Sequence, residues 1–143
     1  MVAIAILDDY QNVAFKYGDW SRIKRDHKIT VFDKHLGRGE AVARALAEFD
    51  VICLMRERTA MPREVIEKLP NLKLLITAGM RNASVDMKAA EDHKVMVCGT
   101  NAGHQSTAEL AMGMIISLAR NIHFESNAMR HGHWQTTDRK SVV

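Results

Sequence analysis

Little in this chain points toward a membrane, a metal or a nucleic acid. No apolar run approaches the roughly 20 residues that crossing a bilayer requires. The first apolar run, Val2 to Leu7, has no basic region ahead of it and meets Asp8-Asp9 at once, so it is too short to be a secretion signal. Cysteine is scarce. Cys53 and Cys98 both sit inside apolar runs, and neither has a metal-ligand neighbour at C-x-x-C spacing, which predicts two buried, reduced thiols in a cytoplasmic protein. Basic clusters are lacking too. The 20 Lys and Arg are scattered among 17 Asp and Glu for a net charge of +3, with no dense basic block interleaved with aromatics, which argues against a nucleic-acid partner.

Several motifs are missing as well. A dinucleotide fingerprint, G-x-G-x-x-G, should follow the first strand, yet that strand runs into Leu7-Asp8-Asp9-Tyr10. Gly37-Arg38-Gly39 lacks a third glycine, and Gly99 to Gly103 lacks the lysine and spacing of a phosphate loop. The Asp8-Asp9 pair invites comparison with the magnesium-holding acids of a phospho-acceptor receiver domain. That chemistry needs an aspartate after the third strand, where this chain has Met55-Arg56-Glu57, and a lysine after the fifth, where it has Gly99-Thr100. His131-Gly-His133, with His104 and His123 upstream, falls short of three or four convergent zinc ligands, so no metal site is expected. No G-x-S-x-G nucleophile elbow occurs, and Ser106 with Glu109 reads as a capping box opening a helix.

What is present is alternation. Apolar, β-branched runs at 2–7, 28–32, 50–55, 72–77 and 95–98 read as strands, with 50–55 continuous enough to suggest cover on both faces. Between them, 39–49 has helical spacing with Val42, Leu46 and Phe49 on one face, Pro62 opens a short helix, and 86–93 reads as another. Five strands with helical crossovers predict an α/β fold: a flavodoxin-like open parallel sheet in the order 2-1-3-4-5. Residues 106–124 then form a long apolar helix. The expected organisation is a flavodoxin-like domain over 1–104, a long helix and crossover over 105–135, and a tail or linker over 136–143. Ligands of such sheets bind beyond the C-terminal strand ends. Arg56 and Arg58 follow strand three there, and Gly79, Met80 and Arg81 follow strand four. Arginine holds a carboxylate through two parallel hydrogen bonds, and backbone N–H groups in a tight turn do the same. These are anion-friendly groups gathered at adjacent strand ends.

An ordered series of segments sharpens this. Thr77-Ala-Gly-Met-Arg-Asn-Ala-Ser-Val-Asp86 is followed by Ala89-Ala90, Val95-Met-Val-Cys98, Ser106-Thr-Ala-Glu109, Arg120 and Arg130-His-Gly-His-Trp134. The series resembles the D-isomer-specific 2-hydroxyacid dehydrogenases, among them phosphoglycerate, glycerate and formate dehydrogenases. Their substrate domain carries A-G-x-G-x-x-x-[IV]-D, A-A, V-x-V, [ST]-V-A-E and R-x-G-x-W, and Arg56-Glu-Arg-Thr59 is similar to their R-S-x-T. The resemblance covers residues 1 to 135 and stops where the family's Rossmann-type NAD domain begins.

The resemblance implies an oxidoreductase acting on the CH–OH group of a small D-2-hydroxy acid or its 2-oxo partner, with NAD or NADP as cofactor. Backbone amides at Gly79, Met80 and Arg81 would hold the substrate carboxylate, Arg56 would face its distal group, and Thr107 would line the nicotinamide side. The family's catalytic histidine, carboxylate and arginine lie in its second domain, so no catalytic residue is expected in this chain and the isolated chain is expected to be inactive. A stand-alone small-anion binder or sensor without catalysis is the alternative. The apolar face of 106–124 is expected to be covered by self-association or by the tail folding back onto it. Two departures stand out. Arg81 occupies a position where the family has glycine, which permits φ > 0 as arginine does not, and it adds a cation. The loop after strand five also lacks N-x-P.

Overall fold

Five four-residue apolar runs become five parallel strands: β1 (Ala3–Ile6), β2 (Lys28–Val31), β3 (Val51–Leu54), β4 (Leu74–Thr77) and β5 (Met96–Gly99). The structure, a computed structural model, describes residues 1–101 and 105–137. Two units are distinguished, Met1–Ala102 and Gly103–Val143. In the first, the sheet order is β2-β1-β3-β4-β5, with every neighbouring pair parallel, the order the alternating pattern predicts. Parallel neighbours need crossovers, and these carry α1 (Ser21–Asp26), α2 (Glu40–Leu46), α3 (Arg63–Ile66) and α4 (Met87–Asp92). Pro62 stands at the cap of α3 in extended conformation, and the Asp86 carboxylate caps α4 by accepting from the Ala89 N–H at 2.8 Å.

The core lies on one face of the sheet. Ala5, Ile52 and Leu75 stand in register across β1, β3 and β4 and are fully buried, with Val97 beside them on β5. Val42 and Leu46 of α2, Val65 and Ile66 of α3, and Ala89 and Ala90 of α4 cover them. Phe49 packs on this cluster and meets Phe32 edge-on, with ring centroids 5.8 Å apart. The opposite face is graded. Ile4 and Ile6 are buried, Val51, Cys53, Leu74 and Ile76 are half-buried, and Met96 and Cys98 are exposed. The strands are therefore not all covered on both faces, and Cys98 is not the buried thiol expected of it: β5 is an edge strand, and the pleat that turns Val97 inward turns Met96 and Cys98 outward. Burial does push the Cys53 thiol above its ordinary pKa.

The second unit holds two helices rather than one continuous run from 106 to 124. α5 (Gln105–Ala119) ends at Arg120, Asn121 takes the left-handed conformation (φ 49°, ψ 32°), and α6 (Ile122–Arg130) starts afresh. Asparagine tolerates that conformation better than most residues. Because α5 begins at Gln105, Ser106 lies inside the first turn rather than at the cap. None of the residues of α5 is buried. Beyond α6, the Glu125 carboxylate accepts from the N–H and hydroxyl groups of both Thr136 and Thr137, so the first two residues of the expected tail are fastened. These donors, the Thr137 hydroxyl foremost, hold the Glu125 carboxyl below the ordinary glutamate range. The remainder, 138–143, lies outside the described residues.

Leu75 is central to the covered face and wholly inaccessible. Leu75→Ala is expected to lower unfolding stability by about 2–5 kcal/mol through lost burial and the cavity left behind, measured by chemical denaturation of the two proteins side by side.

Candidate functional site

The strand order reverses between β1 and β3, so the crevice beyond their C-terminal ends is where such a sheet gathers a ligand. Beyond β1, Asp8 takes a left-handed φ of 59° and is buried. Its carboxylate accepts from Thr59 Oγ1 at 2.7 Å and from the Tyr10 hydroxyl at 2.9 Å, with His35 Nδ1 at 3.4 Å. Its carbonyl accepts from Arg58 Nη1 at 2.9 Å, and that guanidinium lies 4.8 Å from the centre of the Tyr10 ring. The hydrogen bond to Asp8 raises the Tyr10 pKa, because ionising the phenol would set a second negative charge against the carboxylate. Asp9 is used differently: its two oxygens accept from the N–H groups of Val13 and Ala14 at 3.0 and 2.9 Å and fix the turn there. Both acidic residues therefore brace loops, and Arg58 is part of that bracing.

Arg56 follows β3 and is also left-handed, with φ 54°. Its side chain is exposed, with Nε 4.0 Å from Glu57, and its Nη1 lies 3.7 Å from the point where a β-carbon on Gly79 would stand. Gly79 opens the loop after β4 with φ 101°, a conformation glycine adopts freely. Arg81, by contrast, has an ordinary negative φ. The strain expected there does not arise, because the turn after β4 places its positive φ at Gly79.

The loop is seated on β5. A β-carbon on Gly99 would fall 2.8 Å from both the Gly79 carbonyl oxygen and the Met80 Cα. Thr100 completes the seat: its N–H donates to the Thr77 carbonyl at 3.1 Å, and its Oγ1 accepts from the Gly79 N–H at 3.1 Å. The Gly79 amide is thereby engaged. Among the described residues, nothing accepts from the N–H groups of Met80 or Arg81. A recess of about 410 Å³ lies alongside, lined by Thr77, Met80, Arg81, Asn82, Val97 and Gly99 among others.

The structure thus gathers Arg56, Gly79, Met80 and Arg81 at one sheet edge, with a guanidinium over a glycine and two N–H groups beside it. Chemically this suits an anion. Thr107 lies in the first turn of α5, in the second unit, and is exposed. That unit has its own recess of about 720 Å³, lined by Arg120, Ile122, Glu125, Met129, Arg130 and Trp134 among others. Arg120 and Arg130 bring two cations to it, and its one carboxylate is taken up by Thr136 and Thr137. Among the described residues no group of three or more His, Cys, Asp and Glu side chains is placed to hold a metal ion. His131 sits with Nδ1 2.9 Å from the Asn127 carbonyl, and His104 lies outside the described residues. No helix of the described residues is long and apolar enough to cross a membrane.

Three contributors escaped the sequence: Asn82, Gly99 and Thr100. Each acts on a loop distant in the chain, and only the Gly-Thr pair directly after a strand was a local hint.

Comparison with known proteins agrees with this fold. Residues 4–140 match the profile of D-isomer specific 2-hydroxyacid dehydrogenases, catalytic domain. The hydroxypyruvate reductase of Thermotoga maritima is 30% identical over 109 residues, 76% of this chain and 35% of that protein. The D-3-phosphoglycerate dehydrogenase of Methanocaldococcus jannaschii is 33% identical over 102 residues, 71% of this chain and 19% of the relative. The crystal structure of a phosphoglycerate oxidoreductase from Vibrio cholerae superposes with a TM-score of 0.78 at 30% identity, over 99% of this chain and 44% of the other. The chain therefore spans well under half the length of the proteins it matches.

Gly99 offers a direct test of the seat. Gly99→Ala places a methyl group against backbone rather than a movable side chain, so the loop must shift. Stability is expected to fall by about 1–3 kcal/mol, read by thermal or chemical unfolding, and the backbone amide resonances of 79–81 should move in the folded variant.

Proposed function

The chain belongs to the D-isomer specific 2-hydroxyacid dehydrogenase family through its catalytic domain, and we propose that it is the substrate-binding part of an NAD(P)-dependent oxidoreductase acting on the CH–OH group of a small D-2-hydroxy acid or the matching 2-oxo acid. The observation that carries this reading is the Arg56 guanidinium poised over Gly79, beside the N–H groups of Met80 and Arg81. The acid's carboxylate accepts from those two N–H groups, Arg56 faces its distal group, and Arg81 adds positive charge at the rim. Together they bind and orient the acid so that the hydrogen on its C2 is presented in one sense only.

The described residues beyond β1 do not fit the phosphates of a dinucleotide. Beyond β1, where a glycine-rich phosphate turn would sit, Asp8 is buried with its carboxylate on Thr59. In this reading NAD or NADP is held by a segment outside the chain, with Thr107 of α5 touching its nicotinamide side, and no catalytic acid or base is assigned here. The chain alone binds acid without turnover. A cytoplasmic setting belongs to the same reading, as does pairing with a second copy through α5, whose Leu110, Met114, Ile115 and Leu118 are all exposed.

Titration of the isotope-labelled 143-residue chain with D-lactate should give saturable shifts confined to the amides around Met80 and Arg81, while D-lactamide, which lacks the carboxylate, should give none. Equal responses to the two, or no localised shift with D-lactate, would sink the reading. Light scattering tests the pairing: a mass above that of the monomer is expected, and a monomer mass removes the α5 contact.

A further inference from the structure

Asn82 is half-buried, and all of its hydrogen-bonding capacity is used. Its Nδ2 donates to the Arg56 carbonyl at 2.7 Å and to Thr77 Oγ1 at 2.9 Å. Its Oδ1 accepts from the Ser84 N–H at 3.0 Å and from the Ser84 hydroxyl at 2.6 Å. A side-chain amide offers two donor hydrogens and an oxygen with two lone pairs, so nothing is left over. The orientation is also determined. A flipped amide would set oxygen against the Arg56 carbonyl oxygen and NH₂ against the Ser84 N–H, two repulsive contacts in place of two bonds.

The two halves of this amide do different work. The Ser84 half closes a turn within the β4–α4 loop. The Nδ2 half crosses to the loop after β3 and holds the carbonyl of a residue in left-handed conformation. That conformation costs a side-chain-bearing residue about 1–2 kcal/mol, so Arg56 keeps it only while the surroundings insist. The conformation matters to the site because it lays Nη1 of Arg56 over Gly79. The spacing between the guanidinium and the N–H groups of Met80 and Arg81 thus runs through Asn82.

We propose that Asn82 is a positioning residue that fixes Arg56 against the carboxylate-binding loop and so sets the preference for 2-hydroxy acids bearing a second anionic group. The proposal rests on the functional reading above. A carboxylate held at Met80 and Arg81 puts the acid's far end under Arg56 only while the two loops keep their register. When the Asn82 bridge is lost, Arg56 relaxes toward ordinary φ and swings away, while the N–H groups stay where Gly99 and Thr100 hold them.

The test compares D-malate with D-lactate, which differ at the distal carboxylate, by titrating the labelled 143-residue chain. Asn82→Asp is nearly isosteric, keeps both acceptances from Ser84 and loses both donations. Asn82→Ala loses the bridge without adding charge, and Ser84→Ala removes the hydroxyl bond to Oδ1 while leaving the Ser84 N–H bond and the bridge. The parent chain and Ser84→Ala should favour D-malate by about tenfold, the scale of one charge-assisted contact. Both Asn82 variants should fall to about twofold or less, with D-lactate affinity altered by less than about threefold. Spectra with native dispersion confirm that each variant is folded. Retention of the D-malate preference in folded Asn82→Asp and Asn82→Ala overturns the proposal while leaving the functional reading intact, and so does a parent chain that binds both acids equally. A parent chain that binds neither acid overturns both.

Discussion

The missing β-carbon of Gly99 is the constraint from which the site follows. Backbone passes so close above it that even a methyl group would meet the Gly79 oxygen and the Met80 Cα. With that approach allowed, Thr100, the next residue, reaches the Gly79 amide. This engagement decides which N–H groups of the loop are offered to a ligand: Gly79 is taken, while Met80 and Arg81 have no acceptor among the described residues. The two N–H groups left without an acceptor on one loop are therefore set out by a glycine and a threonine at the end of the neighbouring strand.

The crevice is bordered by two left-handed residues that are not glycine, Asp8 beyond β1 and Arg56 beyond β3. Each is held by a side chain from elsewhere. Thr59 anchors the carboxylate of Asp8, and Asn82 anchors the carbonyl of Arg56. Unfavourable backbone of this kind persists where the surroundings over-determine it, and it clusters at sites where side chains must be aimed. The two anchors differ in consequence. Thr59 and Asp8, both buried, belong to one brace with Tyr10 and Arg58, whereas Asn82 joins the loops after β3 and β4.

The sheet was legible in the sequence because its strands are short apolar runs separated by helical crossovers, a pattern with few topological solutions. α1 was not, because Ser21–Asp26 carries one apolar residue, Ile23, and buries none. A wholly apolar run also conceals which face is covered, which is why Cys98 was misjudged. The break at Asn121 sits inside an apolar stretch whose helical periodicity runs through it. At the site, Arg56 and the loop from Gly79 to Arg81 were legible from strand-end position and residue type. Asn82 and Gly99 were not, since their roles exist only once segments 19 to 26 residues apart are brought together. Membership of the dehydrogenase family rests on the match over residues 4–140, and the relatives extend well beyond the stretch that this chain matches.

The exposure of Cys98 has a practical side. It stands two residues before Thr100, on the strand that seats the loop, and its thiol faces outward, whereas Cys53 is half-buried with its pKa raised. At neutral pH a thiol-directed dye or spin label would therefore choose Cys98 without any engineering. The chain thus carries a native attachment point on the strand that seats the loop, from which binding at the proposed site could be watched as a change in the label's brightness or mobility.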